Sequence, residues 1–202
     1  MKLQRIHMLT VLSIALVLSY QSQAQENFSL KSAKASVQGT SSLHDWESEI
    51  TRIECKAQLK KDNQLLTSIK SAEVRILVKG IKSTKGKVMD NKTYDAFKDE
   101  ENPDIIFAVN SGQIKTDASG NASLEASGNL TMAGVTRVVA VTAKGKTLPN
   151  GDVQITLSHK LKMTDYKMKP PTALMGTIVV GEEVTVNFDL ILTPAAVQAK
   201  KI

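Results

Sequence analysis

The sequence predicts an all-β fold, an antiparallel eight-stranded β-barrel with a short helix and a long loop near its mouth. Three observations carry this reading. Apolar and polar residues alternate with period two along much of the chain, the spacing of a strand with one buried face. Compact turn motifs separate successive strands at short intervals, so sequence neighbours become sheet neighbours. The strands number about eight, enough to close a sheet and remove its unpaired edges.

The elements follow in chain order. Residues 1–24 are expected to be a secretory signal peptide. Lys2 and Arg5 form a basic start, Met8 to Leu18 is uncharged, and Ser22-Gln23-Ala24 offers the small residues a signal peptidase reads. That apolar run is shorter than the roughly 20 residues of a membrane span. Residues 25–202 then form one domain. Short apolar strands are expected at 73–79 and 104–110. Between them, 89–99 reads as a short helix that Asp90 caps, ending before Pro103. Residues 121–132 alternate with Leu124, Ala126, Gly128, Leu130 and Met132 on one face, and another strand covers 135–144. Asp117-Ala118-Ser119-Gly120-Asn121, Met132-Ala133-Gly134-Val135 and Pro149-Asn150-Gly151-Asp152 supply the turns. The clearest alternation lies in 153–163, where Val153, Ile155, Leu157, His159, Leu161 and Met163 share a face. The last strand, 184–192, places Val184, Val186, Phe188, Leu190 and Leu192 together. The long connection at 164–182 holds Pro170-Pro171, Gly176 and Gly181; segments of that length usually carry function or cover something.

Composition narrows the function classes. The net charge is +6, and removing residues 1–24 leaves +4 on the remaining 178. Charge this mild, spread over many Lys, is a solvated surface rather than a nucleic-acid patch. It allows a transient contact with an anionic membrane surface without identifying one. Eight aromatic residues in 202, and none just before the terminal Lys200-Lys201-Ile202, cannot build the two girdles of an outer-membrane barrel. The apolar face is therefore expected to point inward. A single cysteine, Cys55, excludes a disulfide framework and multi-cysteine metal sites, and its setting suits a small buried hydrophobe.

Catalytic groupings are sparse. Thr40-Ser41-Ser42 followed by His44-Asp45-Trp46 invites a Ser–His–Asp reading, but residues so close on a strand point to opposite faces. Local turn hydrogen bonds for His44-Asp45, with Trp46 plugging one barrel end, account for the segment. His159 lies on an apolar face, where a neutral imidazole needs a hydrogen-bond partner from the protein or from a ligand. No cluster of metal ligands and no phosphate-binding loop is present in the sequence. Asp99-Glu100-Glu101 and Glu182-Glu183 read as solvated loop charge, and Asn129-Leu130-Thr131 matches a glycosylation sequon. The chain is expected not to be an enzyme, and no cofactor is expected.

Several segments, in order, carry a family resemblance. Gly39-Thr40-Ser41-Ser42-Leu43-His44-Asp45-Trp46 resembles the opening of the YceI-like family, exported proteins of lipocalin-like fold described as polyisoprenoid-binding. Met89-Asp90 and Asn102-Pro103-Asp104-Ile105-Ile106-Phe107 are similar to that family's helix and following strand. Gly128-Asn129-Leu130-Thr131-Met132-Ala133-Gly134-Val135-Thr136-Arg137 resembles its hairpin. Met163-Thr164-Asp165-Tyr166, Pro170-Pro171-Thr172 and Gly181-Glu182-Glu183-Val184 resemble its penultimate loop and final strand. The chain departs from the family where many members carry Asn-Arg-x-Asp-Phe-Gly and it has Met163-Thr164-Asp165-Tyr166-Lys167-Met168. The usual opening with an early tryptophan is also altered.

The resemblance implies a periplasmic or secreted barrel that holds an isoprenoid-type lipid, a polyisoprenoid or a quinone tail, for transport or storage. Candidate cavity-lining residues are Phe107, Leu130, Ile155, Leu157, His159, Leu161, Met163, Phe188 and Leu190. Met89, Tyr94, Phe97 and Tyr166 are candidates for the mouth or lid. The alternative is a structural or protein-interaction barrel whose interior is packed with side chains and takes no ligand. An enzyme built on His159 or His44 is a third, weaker reading.

Overall fold

A computed structural model describes residues 25–195; the leader assigned to 1–24 and the terminal Lys200-Lys201-Ile202 lie outside the described residues. The strands are β1 (Glu26–Ser41), β2 (Trp46–Ile50), β3 (Ile53–Asp62), β4 (Leu65–Leu77) and β5 (Ile81–Ser83). After helix α1 (Lys87–Phe97) come β6 (Asp104–Thr116), β7 (Asn121–Met132), β8 (Val135–Thr147), β9 (Val153–Lys162), β10 (Thr172–Ala173) and β11 (Ile178–Pro194). Eight of the strands, β1, β3, β4, β6, β7, β8, β9 and β11, form an antiparallel ring in sequence order, closed by β11 on β1. The other three are short. β2 and β5 extend the sheet from the second half of β1, and β10 adds to β11.

The expected turns fall where the sequence puts them. Ala133 (φ 49°) and Gly134 (φ 76°) make a two-residue turn with both residues in the left-handed region, the geometry that matches strand twist. Asp117 accepts backbone N–H bonds from Ser119 and Asn121, each at 2.9 Å, and so builds the β6–β7 turn around its own side chain. At the β8–β9 turn Asp152 is buried and takes Lys31 Nζ at 2.7 Å, which ties that hairpin to β1.

The helix begins two residues earlier than expected, at Lys87, with Gly86 (φ 83°) before it. Asp90 is therefore not its cap. Its carboxylate sits inside the first turn and accepts the Ser83 N–H at 2.7 Å, with Lys82 Nζ at 3.4 Å, so it pins α1 to β5. The connection at 164–182 is also more ordered than a loop. It holds a 3-10 turn over Met163–Tyr166, the short β10, and the first residues of β11.

The two ends of the barrel differ. Tight hairpins β3–β4, β6–β7 and β8–β9 gather at one end, and there the interior is solid. Phe28, Leu59, Leu66, Val153 and Leu192 are each no more than 2 % exposed, with Ala57, Ala122 and Ala143 filling the narrow spaces between them. Gly145 is small by necessity: a Cβ there would stand 2.8 Å from Leu124 Cδ1. Cys55 belongs to this core, and burial pushes its thiol up to about 11. It is an inert thiol at neutral pH. The long connections gather at the opposite end: the β1–β2 turn, the segment carrying α1, and the stretch from β9 to β11.

Candidate functional site

Inside that second end lies a cavity of about 320 Å³. Its wall can be read as rows of residues, because the ladders fix which inward side chains are partners across neighbouring strands. Trp46, Gly39, Val184 and Leu161 form the outermost of these rows, across β2, β1, β11 and β9. Ser48, Val37, Val186 and His159 form the next, and Ile50, Ala35, Phe188 and Leu157 the one below. Successive rows are about 6.8 Å apart, two residues of extended strand. Leu190, Phe188 and Leu157 both line the cavity and pack on the solid core, so they form its floor.

The roof comes from the long connections. Along α1, Met89, Thr93, Ala96 and Phe97 face the cavity at the spacing of one helical face. His44, Lys85 and Thr172, all exposed, also line it, so the cavity runs out to solvent between the β1–β2 turn, α1 and the β10–β11 hairpin. The Trp46 indole packs over Gly39, where a Cβ would lie 2.7 Å from Cζ2, and donates to Thr40 O at 3.0 Å. A side chain at Gly39 would expel the indole from the rim.

Of the residues expected in the wall, Phe107, Leu130, Leu157, His159, Leu161, Met163, Phe188 and Leu190 line the cavity. Ile155 does not. It pairs with Leu190 of the floor, one row beyond Leu157, and its side chain packs against the solid core. Among the mouth candidates Met89 and Phe97 reach the cavity. Tyr166 is 2 % exposed and buried in the core behind the wall, because the 3-10 turn at Met163–Tyr166 folds it inward. Tyr94 faces the other side of α1, its hydroxyl 3.2 and 3.3 Å from the carbonyls of Lys79 and Ile81. It anchors the helix rather than lining the opening. Sequence reasoning missed Ser48, Ile50 and Ile81, which come from short strands too brief to show a period, and it set Trp46 at a barrel end without naming it as cavity lining.

No convergent catalytic group appears among the described residues near the mouth. Ser41 Oγ donates to His44 O at 2.7 Å and accepts the His44 N–H, while His44 Nδ1 faces Asp45 O at 2.7 Å. These are turn contacts. Among the described residues no group of three or more metal-ligating side chains exists. Glu182 and Glu183, expected in a loop, stand on β11, where they meet Lys162 and Lys160 of β9, and Asp99 meets Lys79, each at 3.2 Å.

His159 has no hydrogen-bond partner among the described residues, and its ring faces the cavity. A satisfied core histidine is thus not what the fold provides. Burial lowers its pKa from the ordinary 6.5, because the charged ring is poorly solvated in an apolar wall.

A family model described as YceI-like domain matches residues 21–192. No curated protein matches the chain by sequence. Among solved structures, Burkholderia cenocepacia BcnA is similar with a TM-score of 0.64 and 18% identity, covering 80% of this chain and 96% of that one. A polyisoprenoid-binding domain from Saccharophagus degradans, implicated in plant cell wall breakdown, gives 0.62 and 12%, covering 83% and 98%. A Campylobacter jejuni YceI protein gives 0.50 and 20%, covering 68% and 79%. At these identities the likeness is one of fold.

A depressed imidazole pKa has a definite sign in stability. The unfolded chain binds this proton more readily, so the contribution is fully present above about 6.5 and is lost as pH falls through the folded value. Thermal unfolding of the protein and of His159→Gln at about pH 7.5 and about pH 5.5 should show the wild type losing more Tm on acidification. Equal losses would place the ring in water.

Proposed function

The chain belongs to the YceI-like family, and from that premise we propose that it is an exported carrier holding one isoprenoid-type lipid in its barrel. The observation that carries the reading is the cavity itself: about 320 Å³, lined mainly by apolar side chains, floored by Leu190, Phe188 and Leu157, with exposed lining residues on the long connections. Sites for small apolar ligands are typically of this size, with few polar groups. Burying tail surface there yields roughly 25 cal/mol per Å². Export rests on the pattern of residues 1–24. The name of the Saccharophagus degradans domain favours a polyisoprenoid. The carrier needs no catalysis, and the inert Cys55 and the turn-bound His44 are consistent with that. The packed-interior alternative describes only the closed half.

The surface around the opening suits loading from a membrane. Leu43, Val88, Met175 and Val179 are 65, 70, 107 and 48 % exposed, and all stand on the three segments that frame the mouth. Lys85 and Lys87 precede Val88. Apolar tips among lysines match the chemistry of an anionic bilayer surface.

Two measurements test these statements. Lipid extraction and mass spectrometry of protein purified from its native host should return an isoprenoid lipid at near one per chain; protein that is always empty and takes up no isoprenoid would overturn the carrier. Val88→Ser with Met175→Ser should slow uptake from anionic vesicles about fivefold or more, each lost apolar side chain contributing about 1 kcal/mol of contact, while uptake of the same lipid from detergent stays unchanged. Loss from both sources alike would mean that the mouth does not dock.

A further inference from the structure

The second row of the cavity wall is chemically different from those above and below it. Ser48 and His159 belong to one ladder row, on β2 and β9, with Val37 and Val186 between them, and Ser83 pairs with Ser48 from β5. All three line the cavity. The row toward the mouth has Trp46, Val184 and Leu161; the row toward the floor has Ile50, Phe188 and Leu157. A narrow polar belt therefore crosses an otherwise apolar chamber.

Two members of the belt have hydrogen-bonding capacity that the protein leaves unused. Ser48 is 3 % exposed, and among the described residues its hydroxyl has no partner; nor has either ring nitrogen of His159. The third, Ser83, accepts the Lys85 N–H at 3.1 Å through its hydroxyl oxygen and keeps its own O–H free to donate. An apolar tail laid across this row would strand these groups, at about 1–3 kcal/mol for each left unsatisfied. A ligand oxygen beside the row would give a partner to whichever of these groups it reaches. No cation stands in the belt: Lys85 and Lys92, the lysines of the cavity wall, belong to the rim and the helix above it. An anion at the level of the belt would be desolvated without a counter-charge.

Building on the carrier reading, we propose that the Ser83–Ser48–His159 row is a head-level site for an uncharged oxygen, an alcohol or a quinone carbonyl. The lipid then enters tail first. Its tail points at the Phe188–Leu190 floor, and its polar end stops one row inside the rim, about 6.8 Å below Trp46. Charged isoprenoid heads, phosphates above all, are disfavoured by the same row. The chamber selects its ligand by head chemistry as well as by apolar fit.

Trp46 is the single tryptophan of the chain and stands directly above the belt, so its fluorescence reports occupancy. Three probes with the same isoprenoid chain separate the terms: farnesol, farnesyl monophosphate, and the hydrocarbon farnesene. Farnesol should bind about tenfold or more tighter than either of the others, the equivalent of about 1.4 kcal/mol. Combining Ser48→Ala with His159→Leu should abolish the preference of farnesol over farnesene, weakening farnesol and tightening farnesene, which then strands no polar group. His159→Gln, which keeps a hydrogen-bonding side chain, should retain most of the preference and guards against a folding defect in the double variant. Monophosphate binding as tight as farnesol, or a double variant that still prefers the alcohol, would overturn the belt while leaving the carrier intact. Failure of all three probes to bind would overturn both.

Discussion

The pairing of the last strand with the first is the constraint on which the rest of the structure depends. β1 and β11 run antiparallel from Phe28 against Pro194 to Ser41 against Val180, nearly the full length of both strands. Without that seam the sheet would be an open ribbon with one face of Leu, Ile, Val and Phe in water. With it, every inward residue acquires a fixed height and fixed neighbours, and both unpaired edges of the main sheet disappear. The rows of the cavity are a consequence of closure. So is the position of the floor, since Leu190 and Phe188 are held by β11 between β1 and β9.

Closure also explains why one barrel has two kinds of interior. Where hairpins are short, the strands converge on turns and large side chains such as Phe28, Leu59 and Leu66 fill the space completely. Where the chain leaves the sheet for α1 and the β9–β11 excursion, the roof is supplied by separate elements that need not collapse onto the floor. Tyr94 and Asp90 hold α1 from its outer side, against the carbonyls of Lys79 and Ile81 and the Ser83 N–H. The anchors of the roof thus lie outside the chamber. The solid end carries stability, and the hollow end is free to keep a wall that would be a packing defect in an ordinary core.

The parts legible in the sequence were those where parity runs unbroken. β9 and the body of β11 keep one alternation throughout, so Leu157, His159, Leu161, Phe188 and Leu190 were assigned to the correct face. Parity says nothing about depth, so it groups Ile155 with the wall although that side chain, paired with Leu190, packs into the solid core. Elsewhere bulges break the pattern. β1 shifts register between Leu30 and Ser32, and β6 between Val109 and Ser111. The inward face of β6 passes from odd positions, Ile105 and Phe107, to even ones, Gly112 and Ile114. The belt was half visible, through His159 alone. Ser48 and Ser83 come from strands of five and three residues, and only three-dimensional pairing puts them in one row with it.

Ligand selection in this account comes from a chamber with a closed floor and one polar level. The most direct test is a crystal structure of the protein loaded with an isoprenoid alcohol or quinone. Tail density should rest on Leu157, Phe188 and Leu190 and end above Leu66 and Val153, with an oxygen within hydrogen-bond reach of His159 or Ser48. A tail threaded through to the hairpin end, or a ligand held with its head outside the rim lysines, would contradict it.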